Sequence, residues 1–215
     1  MKSFVITIQD EPRSVEVAKR CIQSAAKHGR SVNMFDAVTP RNTDIYKMIE
    51  DEGIDINGFK EKYSRLDSCV AAFLSHYSLW KLSIASSSPI TIFEHDAVVL
   101  DQLNTTIPFD KCITLGKPSY GRFNTPTFIG SGPLTQKPYF GGAHAYSVNP
   151  AGAKELVDQA KILAKPTDVF LHIDTFPWLQ EHYPWRVEAR DVFTTIQKTE
   201  GCLAKHSYGE DYAII

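Results

Sequence analysis

Within its first 38 residues the chain switches twice between strand and helix periodicity, and this alternation restricts the fold more than any other feature. Phe4–Ile8 is a short, β-branched run ending in the polar Gln9-Asp10-Glu11-Pro12, the pattern of a buried strand entering a loop. Between Arg13 and His28, the residues Val17, Cys21, Ile22 and Ala25 share one helical face; Pro12 or Ser14 starts this helix and Gly29 stops it. Ser31–Val38 is again short and β-rich. Strand, helix, strand in this order opens an α/β sheet of the Rossmann-like kind.

The alternation continues downstream. Asn42–Lys62 is polar, carries Gly53 and Gly58, and reads as a mobile excursion with a short helix around Ile45–Glu50. Leu66, Cys69, Val70, Phe73, Tyr77, Trp80 and Ile84 form a stripe at three- and four-residue steps, so a long amphipathic helix is expected there. Ile90–Phe93 is a buried strand that delivers Glu94-His95-Asp96 at its carboxyl end. Asp101–Gln136 is dense in glycine and proline and reads as one or two strands with long loops. A strand within Pro138–Val148, a helix capped by Asn149-Pro150, a short helix after Lys165-Pro166 and a strand at Val192–Ile196 complete the expectation.

The 215 residues, 43% of them hydrophobic, suffice for one core, and a single domain over 1–215 is expected. A formal net charge of -2 gives no global field that attracts nucleic acid or an anionic membrane. Cys21, Cys69, Cys112 and Cys202 are widely spaced without a CxxC pair, which disfavours structural zinc or a disulfide framework and suits reduced, buried thiols. No run approaches the length of a membrane span, and a cytoplasmic location is expected.

Glu94 and Asp96 flank one residue, so on an extended strand both carboxylates project to the same side. Two carboxylates at that sheet edge suit a hard divalent cation, with Asp96 binding directly and Glu94 binding through water or holding a ribose. An ordinary solvated strand end is the structural alternative.

Four segments carry a family resemblance. They are Val5-Ile6-Thr7-Ile8-Gln9 with Arg13, then Phe35-Asp36-Ala37-Val38, then the helix Phe73-Leu74-Ser75-His76-Tyr77-Ser78-Leu79-Trp80 followed by Ile92-Phe93-Glu94-His95-Asp96-Ala97, and last Gly141-Gly142-Ala143-His144-Ala145-Tyr146 with Gly152-Ala153-Lys154 and Lys165-Pro166-Thr167-Asp168. In this order they resemble glycosyltransferase family 25, which includes lipooligosaccharide and collagen galactosyltransferases. The pattern departs at His95, where the family usually has a third acidic residue. The resemblance implies a GT-A-like single domain with a mixed sheet flanked by helices. It also implies a nucleotide-sugar donor, usually a UDP-sugar, with manganese or magnesium, and transfer to an acceptor hydroxyl in glycan or lipooligosaccharide biosynthesis.

Under that resemblance Arg13 binds the diphosphate or base, and Asp36 with Ala37 holds a ribose or base edge. Ser75, His76, Glu94 and His95 approach the donor, while Asp96, Glu94 and a late His206 form the metal shell. Inverting transfer needs a carboxylate base, for which Asp168 is the first choice and Asp174 the second, with His172 on the face of Asp168 if the segment is helical. Each has a structural alternative: a helix N-cap for Asp168, a loop cap for Asp36, a first-turn surface arginine for Arg13, a tail histidine for His206, and satisfied core groups for the helical pair. Gly141-Gly142 suits close approach of backbone to substrate or a strand bulge, and Phe176, Trp178, Tyr183 and Trp185 suit sugar stacking or core.

The acceptor is open between a glycan, a lipid-linked glycan and a hydroxymethylated base of viral DNA. The last requires a basic stripe, for which Lys60, Lys62, Arg65, Lys117, Arg122 and Lys137 are the candidates. A non-catalytic nucleotide-sugar-binding protein and a two-metal phosphohydrolase are the remaining alternatives; a single carboxylate pair speaks against the second.

Overall fold

The computed structural model describes residues 1–60, 64–103, 106–190 and 195–196. Its chain order is β1 (Lys2–Thr7), α1 (Pro12–Lys27), β2 (Asn33–Asp36), α2 (Ile45–Glu52), α3 (Leu66–Ala85), β3 (Ile90–Glu94), β4 (Ala97–Val99), β5 (Cys112–Thr114), β6 (Gly130–Pro133), β7 (Ala145–Val148), α4 (Pro150–Leu163), α5 (Thr167–Phe170), β8 (Leu179–Tyr183) and β9 (Val187–Ala189). Seven strands form one mixed sheet in the order β2-β1-β3-β7-β5-β8-β6, and β4 pairs with β9 apart from it.

Strand alternation assigns the two faces. Val5, Phe93, Ala145 and Ile113 point to the side of α1, where they meet Ala18, Cys21 and Ala25. Ile90, Ile92, Tyr146, Val148 and Cys112 point to the other side and pack on α3 and α4 through Phe73, Tyr77, Trp80 and Leu156. Helices thus cover both faces of this mixed sheet, whose parallel β2-β1-β3 side leads into the antiparallel pairs that β7 makes with β3 and β5. The cysteines expected to be buried thiols are so at Cys21, Cys69 and Cys112; burial pushes the Cys21 thiol up to about 12. Cys202 lies outside the described residues.

The helices begin where their caps stand. The Glu11 carboxylate accepts from the Arg13 N–H at 3.3 Å with Pro12 in the first turn of α1, Asp44 accepts from the Lys47 N–H at the start of α2, and Asn149 accepts from the Gly152 N–H with Pro150 following it.

Two expectations are corrected, and a third falls mostly outside the described residues. The segment after Asn42 does not stand off the domain: Ile45, Ile49, Ile54 and Phe59 enter the core, and Asp55 exchanges backbone hydrogen bonds with Ala160 and Ala164. Glu94-His95-Asp96 is not one extended strand. β3 ends at Glu94 and the chain turns at His95-Asp96 to leave for the β4–β9 pair. Of the strand expected at Val192–Ile196, Thr195 and Ile196 form a bend, and the rest lies outside the described residues. Two strands, β5 and β6, occupy Asp101–Gln136 as expected, whereas β4, β8 and β9 were not anticipated.

Candidate nucleotide cleft

β1 runs parallel to both β2 and β3, with Thr7 beside Asp36 and Ile6 beside Glu94, so the carboxyl ends of all three strands reach one edge of the sheet. From β1 the chain passes to β2 on one side and then returns to β3 on the other, which makes this edge a topological switch point. A cleft of about 380 Å³ opens there. Its walls are the loop after β1 with Arg13, the loop Ala37–Arg41 after β2, the turn Glu94-His95-Asp96, and one face of α3.

That face reads Ser68, Ala71, Ala72, Ser75 and His76, the i, i+3, i+4, i+7, i+8 positions of a helical stripe. Small side chains leave the volume open, and the bulky stripe of Phe73, Tyr77 and Trp80 faces the core instead. Ser75 fastens the second loop: its Oγ accepts from the Val38 N–H at 2.9 Å and donates to the Ala71 carbonyl at 3.0 Å.

His76 is held by a buried ladder whose proton positions follow from its chemistry. The Trp80 indole N–H can only donate, and it does so to the Tyr146 oxygen at 2.8 Å. The Glu94 carboxylate can only accept, so Nε2–H faces its Oε1 at 3.3 Å, and in the neutral ring Nδ1 is then left to accept from the Tyr146 hydroxyl at 2.9 Å. Burial opposes ionisation of Glu94, yet the hydrogen bond from His76 holds the carboxyl below its ordinary range. Burial lowers His144, which is enclosed and favours the neutral imidazole.

His95 is anchored from below. Ser14 Oγ accepts from the Ile8 N–H at 2.9 Å and lies 2.6 Å from His95 Nδ1, so the serine proton is available to that nitrogen. The Asp96 carbonyl accepts from the Arg190 N–H and ties the turn to the end of β9. At the rim, Arg41 makes a two-point ion pair with Asp10, at 2.6 and 2.7 Å, joining the loops after β1 and β2. Arg65 donates to the Thr195 carbonyl at 3.0 Å, and its own N–H bonds the Ile196 carbonyl, which sets residues 195 and 196 in the cleft wall.

Residues 1–127, more than half of the 215, match glycosyltransferase family 25, described as an LPS biosynthesis protein family. The chain belongs to this family. No curated protein matches it at a significant level. The family 25 span contains every strand and helix that builds the cleft, while the segments around Gly141 and Asp168 lie beyond it.

Seven residues singled out in this family 25 sequence come together in the cleft: Arg13, Ala37, Ser75, His76, Glu94, His95 and Asp96. Asp36 does not join them; it is exposed at the end of β2, and the following residues take its place. His206 lies outside the described residues. Asp174 is exposed and pairs with His172, 3.6 Å away, in neither cleft wall nor core. Because α5 ends at Phe170, His172 is not on a helical face with Asp168. Asp168 is the second residue of α5 and not its N-cap, which is Pro166. It accepts a short hydrogen bond from the Tyr120 hydroxyl and another from the Val169 N–H at 2.9 Å; burial and this carboxylate push the Tyr120 phenol up.

The sequence reading missed Arg41, Ser14 and Tyr120, each of which acts through a partner 31, 81 or 48 residues away. Arg65 was noted only as one member of a basic stripe. Among the described residues these cations are divided: Arg65 lines the cleft, Lys117 pairs with Glu188, and Arg122 and Lys137 line a separate groove, while Lys62 lies outside the described residues. The glycine pair has a packing role, since a Cβ on Gly142, at φ +96, would lie 2.3 Å from Ser119 Oγ. Phe176 is core, and Trp178 donates to Glu155 at 2.6 Å.

Proposed function

We propose that this family 25 member transfers a glycosyl group from a nucleoside-diphosphate sugar, a UDP-sugar first, to an acceptor hydroxyl, with the donor bound in the cleft at the ends of β1, β2 and β3. The observation that carries this reading is the convergence of Glu94, Asp96, Arg13 and Arg65 on one cavity at the switch point of the sheet. The arginines supply charge-assisted bonds to a diphosphate, and Ala37–Pro40 supplies backbone to the nucleoside.

The donor set fits a divalent cation. Among the described residues no three His, Cys, Asp or Glu side chains converge on a point, so the chain builds no all-protein cage. A carboxylate pair suits a hard ion, manganese or magnesium, that takes its remaining oxygens from the diphosphate. Asp96 would hold it directly and Glu94, kept ionised by His76, would hold it through water; the ion would neutralise charge on the departing diphosphate.

For the base of an inverting transfer we retain Asp168. β5 runs in the direction of β3, because each is antiparallel to β7, so the segment leading from β5 to Tyr120 departs from the edge that carries Glu94. Tyr120 then orients the carboxylate. Asp168 does not line the nucleotide cleft, which suits a group on the acceptor side.

The test is release of UDP from UDP-sugars with manganese. Turnover is expected to be lost with a chelator and reduced about 10²-fold or more by Asp96→Asn. Unchanged turnover in that variant rejects the metal assignment, and failure of any nucleoside diphosphate to raise the thermal midpoint rejects the donor cleft.

A further inference from the structure

A second concavity, of about 730 Å³, lies between Gly121–Asn124 and Leu134–Tyr139. Its lining carries two cations, Arg122 and Lys137, and no carboxylate. Lys137 is only 9% exposed. Its ammonium sits 5.3 Å from the ring centres of both Tyr120 and Tyr139, and among the described residues no carboxylate pairs with it. Aromatic faces offset part of the cost of burying a cation but supply no counter-charge.

Beside it, Gln136 is 1% exposed, and neither its side-chain nitrogen nor its oxygen has a hydrogen-bond partner among the described residues. Such a group is costly unless something completes it. The wall itself is fixed, because Glu181 Oε1 accepts from the Thr135 N–H, the Thr135 hydroxyl and the Gln136 N–H. Phe123, Pro138 and Ile173 add apolar surface. An apolar wall with an uncommitted amide and an uncompensated ammonium matches one kind of ligand: a sugar ring bearing an anionic substituent.

We propose that the groove between Gly121–Asn124 and Leu134–Tyr139 is the acceptor subsite of this glycosyltransferase and takes a saccharide carrying a carboxylate or phosphate, paired with Lys137 and Arg122. The inference rests on the transferase reading above. Tyr120 links the two: its ring lies under the Lys137 ammonium and its hydroxyl holds Asp168, so a saccharide seated in the groove is adjacent to the residue that orients the base. Gly121 belongs to the same arrangement, since a Cβ there would lie 3.1 Å from Lys137 Nζ.

The experiment is calorimetric titration of the full chain, with and without saturating UDP, using methyl β-D-glucuronide, glucose 6-phosphate, the neutral methyl β-D-glucoside and a duplex DNA oligomer. At least one anionic sugar is expected to bind roughly tenfold or more tightly than the neutral one. Which of the two binds distinguishes carboxylate from phosphate. Lys137→Met is expected to erase that preference and Arg122→Gln to reduce it, with UDP affinity unchanged in both.

Equal binding of neutral and anionic sugars overturns the proposal, as does a preference that survives both substitutions. Lys137-dependent binding of duplex DNA that falls steeply with salt overturns it in favour of a nucleic-acid acceptor. Should Lys137→Met fail to fold, the exposed Arg122→Gln carries the comparison. UDP binding without any anionic preference rejects this inference alone, whereas anionic sugar binding without UDP binding rejects the donor cleft and leaves the groove assigned.

Discussion

His76 Nε2 and Glu94 Oε1 face each other across 3.3 Å where α3 meets the end of β3, with the histidine buried and the carboxylate half-open to the cleft. The contact sets the charge of Glu94. Its carboxyl is held below the ordinary value of 4.5, so the stability it contributes is present above that value and disappears as pH falls through the lower, folded one. His76→Ala leaves the opposing burial in place and removes the partner. The acid limb of the stability profile is therefore expected to move to higher pH, read as the urea midpoint across pH 3–7. An acid limb that does not move would show that His76 does not set the charge of Glu94.

The ladder behind that pair gives a stability prediction. Tyr146→Phe deletes one oxygen and leaves both the Trp80 N–H and His76 Nδ1 unpaired in the core. A loss of about 1–3 kcal/mol is expected, seen as a lower urea midpoint with an unchanged m-value. Stability equal to the parent chain would mean that water or a shifted side chain satisfies both groups.

Gly142→Ala is expected to destabilise the chain by about 1–3 kcal/mol. Its new methyl group would press on Ser119 Oγ, and its φ of +96 disfavours any side chain. If the glycine served only close approach of a substrate, thermal melts would be unaffected and acceptor KM alone would rise.

Arg41 separates binding from stability. Its pairing with Asp10 is fully solvated, and exposed pairs add little to folding. Arg41→Ala is thus expected to leave the thermal midpoint near its parent value while weakening UDP binding roughly tenfold, through loss of a cation at the cleft rim. Unaltered UDP affinity would place Arg41 outside the donor contacts.

Much of this architecture is written in local periodicity. Phe4–Ile8 reads as a strand because β-branched residues alternate between two packed faces, and Leu66–Ile84 reads as a helix because its bulky residues recur every three or four positions. Asn149-Pro150 announces α4 by capping chemistry alone. Those signals also place Glu94 at a carboxyl strand end, the edge at which the cleft opens.

The tertiary structure decided what depends on distant partners. β4, β8 and β9 exist because register with β9, β5 and β4 completes their hydrogen bonds. Asp96 leaves the extended strand because the chain must turn there to reach β9. Arg65, Arg41 and Tyr120 acquire their places from contacts spanning 31 to 130 residues, and no local pattern encodes those. Short-range sterics and hydrophobic period fix the elements; which side chains share a cavity is fixed by packing between elements far apart in the chain.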